Sequence, residues 1–269
     1  MPTFKTMEQA GWIEKAPAYD AHFASITRQA IAPLLQRMGA LQGYSVLDVC
    51  CGTGDLAAAL VAGGAATRGV DFSPTMIEIA RTKVPQAIFE AGDAAALPCP
   101  DHSVDFVTCS FGMYHLPEPE KAIAEAARVL RPGGTYLYTT WLPPQDGWDM
   151  FRILVEAVKR HGTLDVDLPP APPAFRFADA LEAEKVLTVS GFKSITVARE
   201  TATWVGSQGR DLIDLIYKAI VRAPMIIEAQ APEARRRIRD EIAAMADAMR
   251  VDGKISMRWP YVLVTSKRV

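Results

Sequence analysis

The stretch Val46-Leu47-Asp48-Val49-Cys50-Cys51-Gly52-Thr53-Gly54-Asp55 decides how the rest of the chain is read. From Ser45 to Val49 the run is short and mostly apolar, the pattern of a strand buried on both faces. Small residues follow at once, and Leu56 to Val61 reads as a helix closed by Gly63-Gly64. A buried strand, a glycine turn and a helix make the opening unit of a nucleotide-binding α/β sheet. Gly52 and Gly54 allow a sharp turn and close ligand approach, and the unpaired N–H groups of a helix start can hold an anion. The dinucleotide fingerprint G-x-G-x-x-G is not met. Cys50 stands at its first glycine, and no third glycine follows Gly54 at that spacing, which weakens a nicotinamide-dependent oxidoreductase.

Working outward, Ala66 to Val70 reads as a second strand ending at Asp71. An acidic residue about 20 residues beyond the first can accept hydrogen bonds from both hydroxyls of a ribose. The alternative, a helix cap, is already filled by Ser73 ahead of Pro74, so the ribose role is favoured for Asp71. Ala87 to Glu90 gives a third strand followed by Gly92-Asp93-Ala94, and Val104 to Cys109 a fourth. Ser110 to Leu116 then lies at a strand's C-terminal end, where open α/β sheets bind ligands. Pro117 opens a helix, Arg131-Pro132-Gly133-Gly134 ends it, and Thr135 to Trp141 is a fifth strand.

Ahead of this core, Glu8 to Met38 patterns as one long helix with a kink at Pro33. Beyond it, helices are expected over Asp149–Arg160, Asp179–Ser190, Asp211–Arg222 and Pro232–Arg250, with strands over Ser194–Arg199 and Tyr261–Ser266. Leu168 to Pro173 is too proline-rich for regular helix.

The turn resembles motif I of class I S-adenosylmethionine (SAM) dependent methyltransferases, an acidic residue followed by spaced glycines. Asp48, Gly52 and Gly54 match it and Cys50 departs from it. Val70, Asp71, Ser73 and Met76 are similar to that family's second-strand signature. Leu116-Pro117-Glu118-Pro119 through Arg128-Val129-Leu130-Arg131-Pro132-Gly133-Gly134 resembles the helix and turn of the ubiquinone- and menaquinone-biosynthesis-like, small-molecule branch.

The resemblance implies a doubly wound, seven-stranded, mostly parallel α/β sheet with an N-terminal helical cap and a helical insertion before the last strand. The expected segments are a cap at 1–40, a SAM-binding core at 41–142 and a variable lid at 143–178. The sheet continues over 179–204, the helical insertion covers 205–254, and the final strand lies in 255–269. SAM is the implied cofactor and S-adenosylhomocysteine the product, with no metal. The motif I turn (Asp48, Cys50, Gly52, Gly54) would receive the amino acid part and Asp71 the ribose, with Phe72 and Met76 also in the cofactor set. Asp93 and Ala94 would receive the adenine, and Ser110 and Tyr19 complete the cofactor set. An ordinary turn remains the other reading of Asp93, and a plain packing helix the other reading of the segment carrying Tyr19.

For the acceptor, Trp12, His22, Phe23, Tyr114, His115, Trp141, Phe175 and Trp204 suit a small, fairly apolar metabolite. His115 is the candidate base, since imidazole titrates near neutrality; the alternative is a histidine that only fixes its loop. A SAM-binding protein that transfers no methyl, as a sensor or pericyclic catalyst, also stays open.

The remaining composition narrows the classes. The chain has 269 residues, a formal net charge of −2 and 49% hydrophobic residues, ordinary for a globular protein and without the basic surplus that nucleic acid requires. Arg235-Arg236-Arg237 is balanced by Glu233, Asp240, Glu241 and Asp247 and reads as a solvated helix face. Its 4 cysteines lack metal-finger spacing. No signal peptide and no membrane span are expected, so a cytoplasmic monomer or homodimer follows.

Overall fold

The computed structural model describes residues 2–269. The elements begin with α1 (Phe4–His22), α2 (Ala24–Thr27), α3 (Ile31–Met38), β1 (Ser45–Val49), α4 (Asp55–Ala62), β2 (Ala66–Asp71), α5 (Pro74–Lys83) and β3 (Ile88–Ala91). They continue with β4 (Val104–Ser110), α6 (Pro119–Val129), β5 (Leu130–Trp141), α7 (Asp149–His161), α8 (Ala180–Val189) and β6 (Phe192–Gly206). The chain closes with α9 (Gly209–Ala219), α10 (Arg222–Glu228), α11 (Pro232–Asp247), β7 (Arg250–Val251) and β8 (Lys254–Arg268).

Two compact units share these elements. The sheet unit comprises Thr27–Trp141, Ala171–Glu200 and Tyr261–Val269; the helical unit comprises residues 2–26, Leu142–Pro170 and Thr201–Pro260.

The strands follow the order β3-β2-β1-β4-β5-β8-β6, with β7 paired to β8. Strands β1 to β5 run parallel, and β8 returns antiparallel to β5 with Trp141 opposite Tyr261. The chain winds from β1 to β3 in one direction and from β4 to β5 in the other. Ligands of open α/β sheets collect where the winding reverses, here at the C-terminal ends of β1 and β4. Val46, Leu47, Leu60, Val107, Ile123 and Leu137 are fully buried in this unit, each contributing roughly 1.5–3 kcal/mol. A smaller cluster of Cys51, Ala57, Ile77, Ala80, Val84 and Phe89 fixes α4 and α5 beneath the turn after β1.

The opposite ends of β1 and β4 are tied by one carboxylate. Asp105 accepts from the Ser45 backbone N–H (2.9 Å), the Ser45 hydroxyl (2.6 Å) and Arg131 (2.6 Å). Burial works upward on this acid, but the hydrogen bonds from Ser45 and Arg131 outweigh it and hold Asp105 below the usual carboxylate range. Its stabilisation is therefore present above the unfolded value and lost as pH falls through the folded one. Asp105→Ala is expected to cost about 2 kcal/mol at neutral pH and much less in acid, read by thermal unfolding across pH.

In the helical unit, α11 packs on α7 and α9, and α1 packs on α9. Ile153, Leu212, Ile216, Ile238, Ile242 and Trp259 form its interior. Asp149, buried at the start of α7, accepts from the Arg258 backbone N–H at 2.8 Å and so ties α7 to the first part of β8.

Several boundaries correct the sequence expectations. The leading segment is not one helix bent at Pro33. It breaks between Phe23 and Ala30, and Pro33 sits in the first turn of α3, where its missing N–H costs nothing. Helix α6 opens at Pro119 rather than Pro117. Arg131 to Gly134 is absorbed into β5 through a register irregularity between Val104 and Phe106, so that strand starts at Leu130. Strands β6 and β8 extend well beyond Ser194–Arg199 and Tyr261–Ser266, and α9 ends at Ala219, leaving α10 as a separate helix.

Candidate cofactor site at the ends of β1, β2 and β4

The site is built on two buried carboxylates. Asp48, inside β1, accepts from the Thr108 hydroxyl at 2.8 Å through Oδ1, while Oδ2 is buried with no hydrogen-bond partner among the described residues. Burial pushes Asp48 up to about 7; the Thr108 hydrogen bond opposes this, and the neighbouring Asp71 charge adds to it. Asp71, the last residue of β2, accepts from Gly52 N–H at 3.0 Å and from Ser73 N–H at 2.9 Å. Burial raises it above the usual range, against these two bonds and the nearby His115 charge. Asp71 therefore shapes the turn after β1 as well as marking the end of β2.

That turn bends through left-handed backbone at Cys50 (φ 57°), Gly52 (φ 52°) and Gly54 (φ 84°). A Cβ added at Gly52 would meet nothing within 4 Å, so the turn presents open space there. Cys50 takes a conformation that L side chains rarely adopt, which its packing must hold in place. A Cβ at Gly112 would lie 2.6 Å from Cys50 Cβ and 2.7 Å from both the Cys50 and Cys109 sulfurs. Gly112 is therefore required for the loop after β4 to close against the turn after β1. The hydrogen bond with Cys109, and then burial, push the Cys50 thiol upward.

The loop after β4 is itself held under strain. Phe111 is left-handed (φ 58°), its N–H donating to the Thr139 hydroxyl at 2.9 Å and the Thr139 carbonyl at 3.1 Å. Its ring stacks on Trp141 with centroids 4.0 Å apart, and Tyr261 meets it edge-on at 5.2 Å. Ser110 lies 3.3 Å from the Thr139 hydroxyl. Sequence reading missed Phe111, Gly112, Thr139 and Tyr261; a bulky residue followed by glycine at a strand end was the available signal.

Met76 is buried, and its N–H donates to Ser73 Oγ at 3.3 Å, which caps α5. Phe72 lies between Asp71 and that cap. Asp93 Oδ1 accepts from Ala95 N–H at 2.9 Å and closes a tight turn with Ala96, while Ala94 is buried. His115 follows in a short 3-10 turn, its N–H donating to Gly112 O at 2.9 Å, with the Tyr114 ring 5.3 Å from its own. Tyr114 also tilts against Phe175 at 5.8 Å. A small cleft of about 70 Å³ lies beside this turn, lined by Met113, Tyr114, Pro117, Glu120, Thr140 and Phe177.

The remaining residues singled out in the sequence lie in the helical unit. Along α1, Trp12 meets Tyr19 at 5.6 Å, Tyr19 stacks on Phe23 at 5.5 Å, and Phe23 meets Trp259 at 5.4 Å. His22 lies between Tyr19 and Phe23 in sequence. Trp204 is buried on β6. Among the described residues, no group of three or more His, Cys, Asp or Glu is placed to hold a metal ion. No helix among them is long and apolar enough to cross a membrane.

A sheet of this order, with a buried acid in β1, a glycine turn and an acid closing β2, is a fold shared with solved methyltransferase structures. Residues 46–134 match the family model described as a methyltransferase domain. A demethylmenaquinone methyltransferase of Renibacterium salmoninarum is 38% identical over 136 residues, covering 49% of this chain and 57% of that protein. The chain thus matches only about half the length of such relatives. Among solved structures, the YcgJ protein from Bacillus subtilis shares the fold with a TM-score of 0.58 and 18% identity, over 89% of this chain and 98% of that one. Phosphoethanolamine N-methyltransferase 2 of Haemonchus contortus, in complex with S-adenosyl-L-methionine, has a TM-score of 0.53 and 18% identity, over 89% of this chain and 52% of that one.

Proposed function

We propose that the protein is a SAM-dependent methyltransferase acting on a small-molecule acceptor through an oxygen, nitrogen, sulfur or carbon nucleophile. The observation that carries this reading is the buried Asp48–Asp71 pair around an open turn. Asp48 Oδ2 has no partner within the described chain, and the space at Gly52 is clear. These features fit a ligand with a cationic amino group and a ribose. The family model and the SAM complex of a similarly folded protein support the same choice. When bound, SAM supplies a methyl group already made electrophilic by its sulfonium.

The chain's own part is mostly positioning. Asp48 offers its unpartnered oxygen to the amino group, and Asp71 offers the remaining lone pairs of both oxygens to ribose hydroxyls. The Asp93 turn and the Ala94 N–H serve the adenine. The loop from Ser110 to Leu116 and its cleft present the acceptor, and His115 takes up a proton on an imidazole nitrogen where the acceptor must lose one. No metal is called on. Cytoplasmic location, as a monomer or homodimer, completes the reading.

The similarity to demethylmenaquinone methyltransferases makes a ring hydroquinone the first acceptor to try. The test is incubation with methyl-labelled SAM and a metabolite library that includes demethylmenaquinol. Label should pass to one compound class. Tight SAM binding with no labelled product would instead leave a cofactor-binding protein without transfer.

A pH signature follows from Asp48. Because its folded value lies near 7, against 3.8 for the unfolded acid, its favourable contribution to folding is present below the unfolded value and lost as pH rises through 7. A cationic amino group beside it favours the charged form. SAM binding should therefore release about one proton near pH 6 and almost none above about pH 8. Calorimetry in buffers of different ionisation enthalpy reads this directly; no proton release at either pH would exclude Asp48 as the partner of the amino group.

A further inference from the structure

The loop that carries Asp93 is held on its far side by α6. Its tight turn closes at Ala96, and the next residue, Leu97, has both backbone groups taken by side chains from α6. Leu97 N–H donates to Glu125 Oε2 at 2.7 Å, and Arg128 Nη2 donates to Leu97 O at 3.0 Å. Arg128 Nη1 reaches further along the loop, to Cys99 O at 2.8 Å and Asp101 Oδ1 at 2.7 Å. The two side chains also pair with each other through two bonds of 2.7 Å, Nε to Oε1 and Nη2 to Oε2. The backbone of α6 continues the grip, with Arg128 O and Val129 O accepting from His102 and Ser103 N–H.

Such a clamp exceeds what a surface ion pair needs. A planar guanidinium with five donors in fixed geometry is the group that can hold two carboxylates and two carbonyls at once. Asp93 is anchored on one side by the end of β2, with Gly92 N–H donating to Asp71 O at 2.9 Å, and on the other by Leu97. The position of its carboxylate and of the Ala94 N–H is therefore set between Asp71 and the Glu125–Arg128 pair.

We infer that Glu125 and Arg128 are positioning residues for base recognition: they hold the Asp93–Ala96 turn so that the cofactor's adenine is distinguished from a base lacking the 6-amino group. The inference rests on the proposed cofactor reading and adds to it a specificity device in the last turns of α6.

The experiment measures, by calorimetry, the affinities of wild type, Arg128→Lys and Glu125→Gln for S-adenosylhomocysteine and for S-inosylhomocysteine, in which a carbonyl replaces the amino group. Wild type should prefer the adenosyl compound. Both variants should lose at least about fivefold of that preference, as expected when a buried hydrogen bond loosens, with Arg128→Lys losing more because lysine cannot span Leu97, Cys99 and Asp101 together. A purely structural role would lower the affinities for both compounds equally and leave their ratio unchanged, which would overturn the inference. So would a wild type that binds both compounds equally well. A wild type that binds neither compound would instead overturn the cofactor reading. Glu125→Gln keeps an acceptor for Leu97 N–H, so it tests the clamp if Arg128→Lys fails to fold.

Discussion

Asp71→Ala is expected to remove most of the protein's affinity for SAM. The side chain is buried, and both of its oxygens already hold backbone N–H groups that shape the cofactor turn and the start of α5. Its loss withdraws two acceptors from the ribose, at roughly 1.5–3 kcal/mol for each charge-assisted bond, and releases Gly52 N–H as well. An affinity drop of about 10²–10⁴-fold follows by calorimetry. Melting temperature and circular dichroism of the unliganded variant would show whether the sheet survives. A folded Asp71→Ala protein with wild-type SAM affinity would mean that another carboxylate receives the ribose.

The second large effect is expected at His115. The residue sits in the loop after β4, its backbone tied to Gly112, and its charge is felt by Asp71. His115→Gln should leave SAM affinity near wild type and lower kcat by ~10²–10⁴, the range for losing a general base. Turnover within a few-fold of wild type for both His115→Gln and His115→Ala would make the histidine a loop anchor, with transfer by proximity alone.

The parts of this molecule that could be read from sequence are those dictated by local chemistry. A buried strand followed at once by small residues located β1 to its residue bounds, and Ser73-Pro74 marked the start of α5 because capping is a local event. Asp48 and Asp71 stood out in the sequence because an acid within or closing an otherwise apolar strand is conspicuous, and both are buried in the structure. What sequence could not supply depends on partners far along the chain. Phe111 in a left-handed conformation is explained only by Thr139 and Trp141, about 30 residues away, on β5. The Gly112 requirement comes from Cys50. The start of β5 at Leu130 is set by pairing with Val104, which overrides the turn signal of Pro132-Gly133-Gly134. In the leading segment, periodicity ran through Phe23 to Ala30 and hid the break there. The grip of Arg128 on Leu97, Cys99 and Asp101 had no sequence signal beyond an arginine in the last turn of a helix, where a simple favourable dipole interaction was sufficient explanation.

The central claim is that the turn after β1, with Asp48 and Asp71, receives SAM and not a nicotinamide dinucleotide. Calorimetric titration of the wild-type protein with SAM and, separately, with NADH tests it most directly. The predicted result is saturable SAM binding, with NADH far weaker or undetectable; tighter binding of NADH than of SAM would contradict the account.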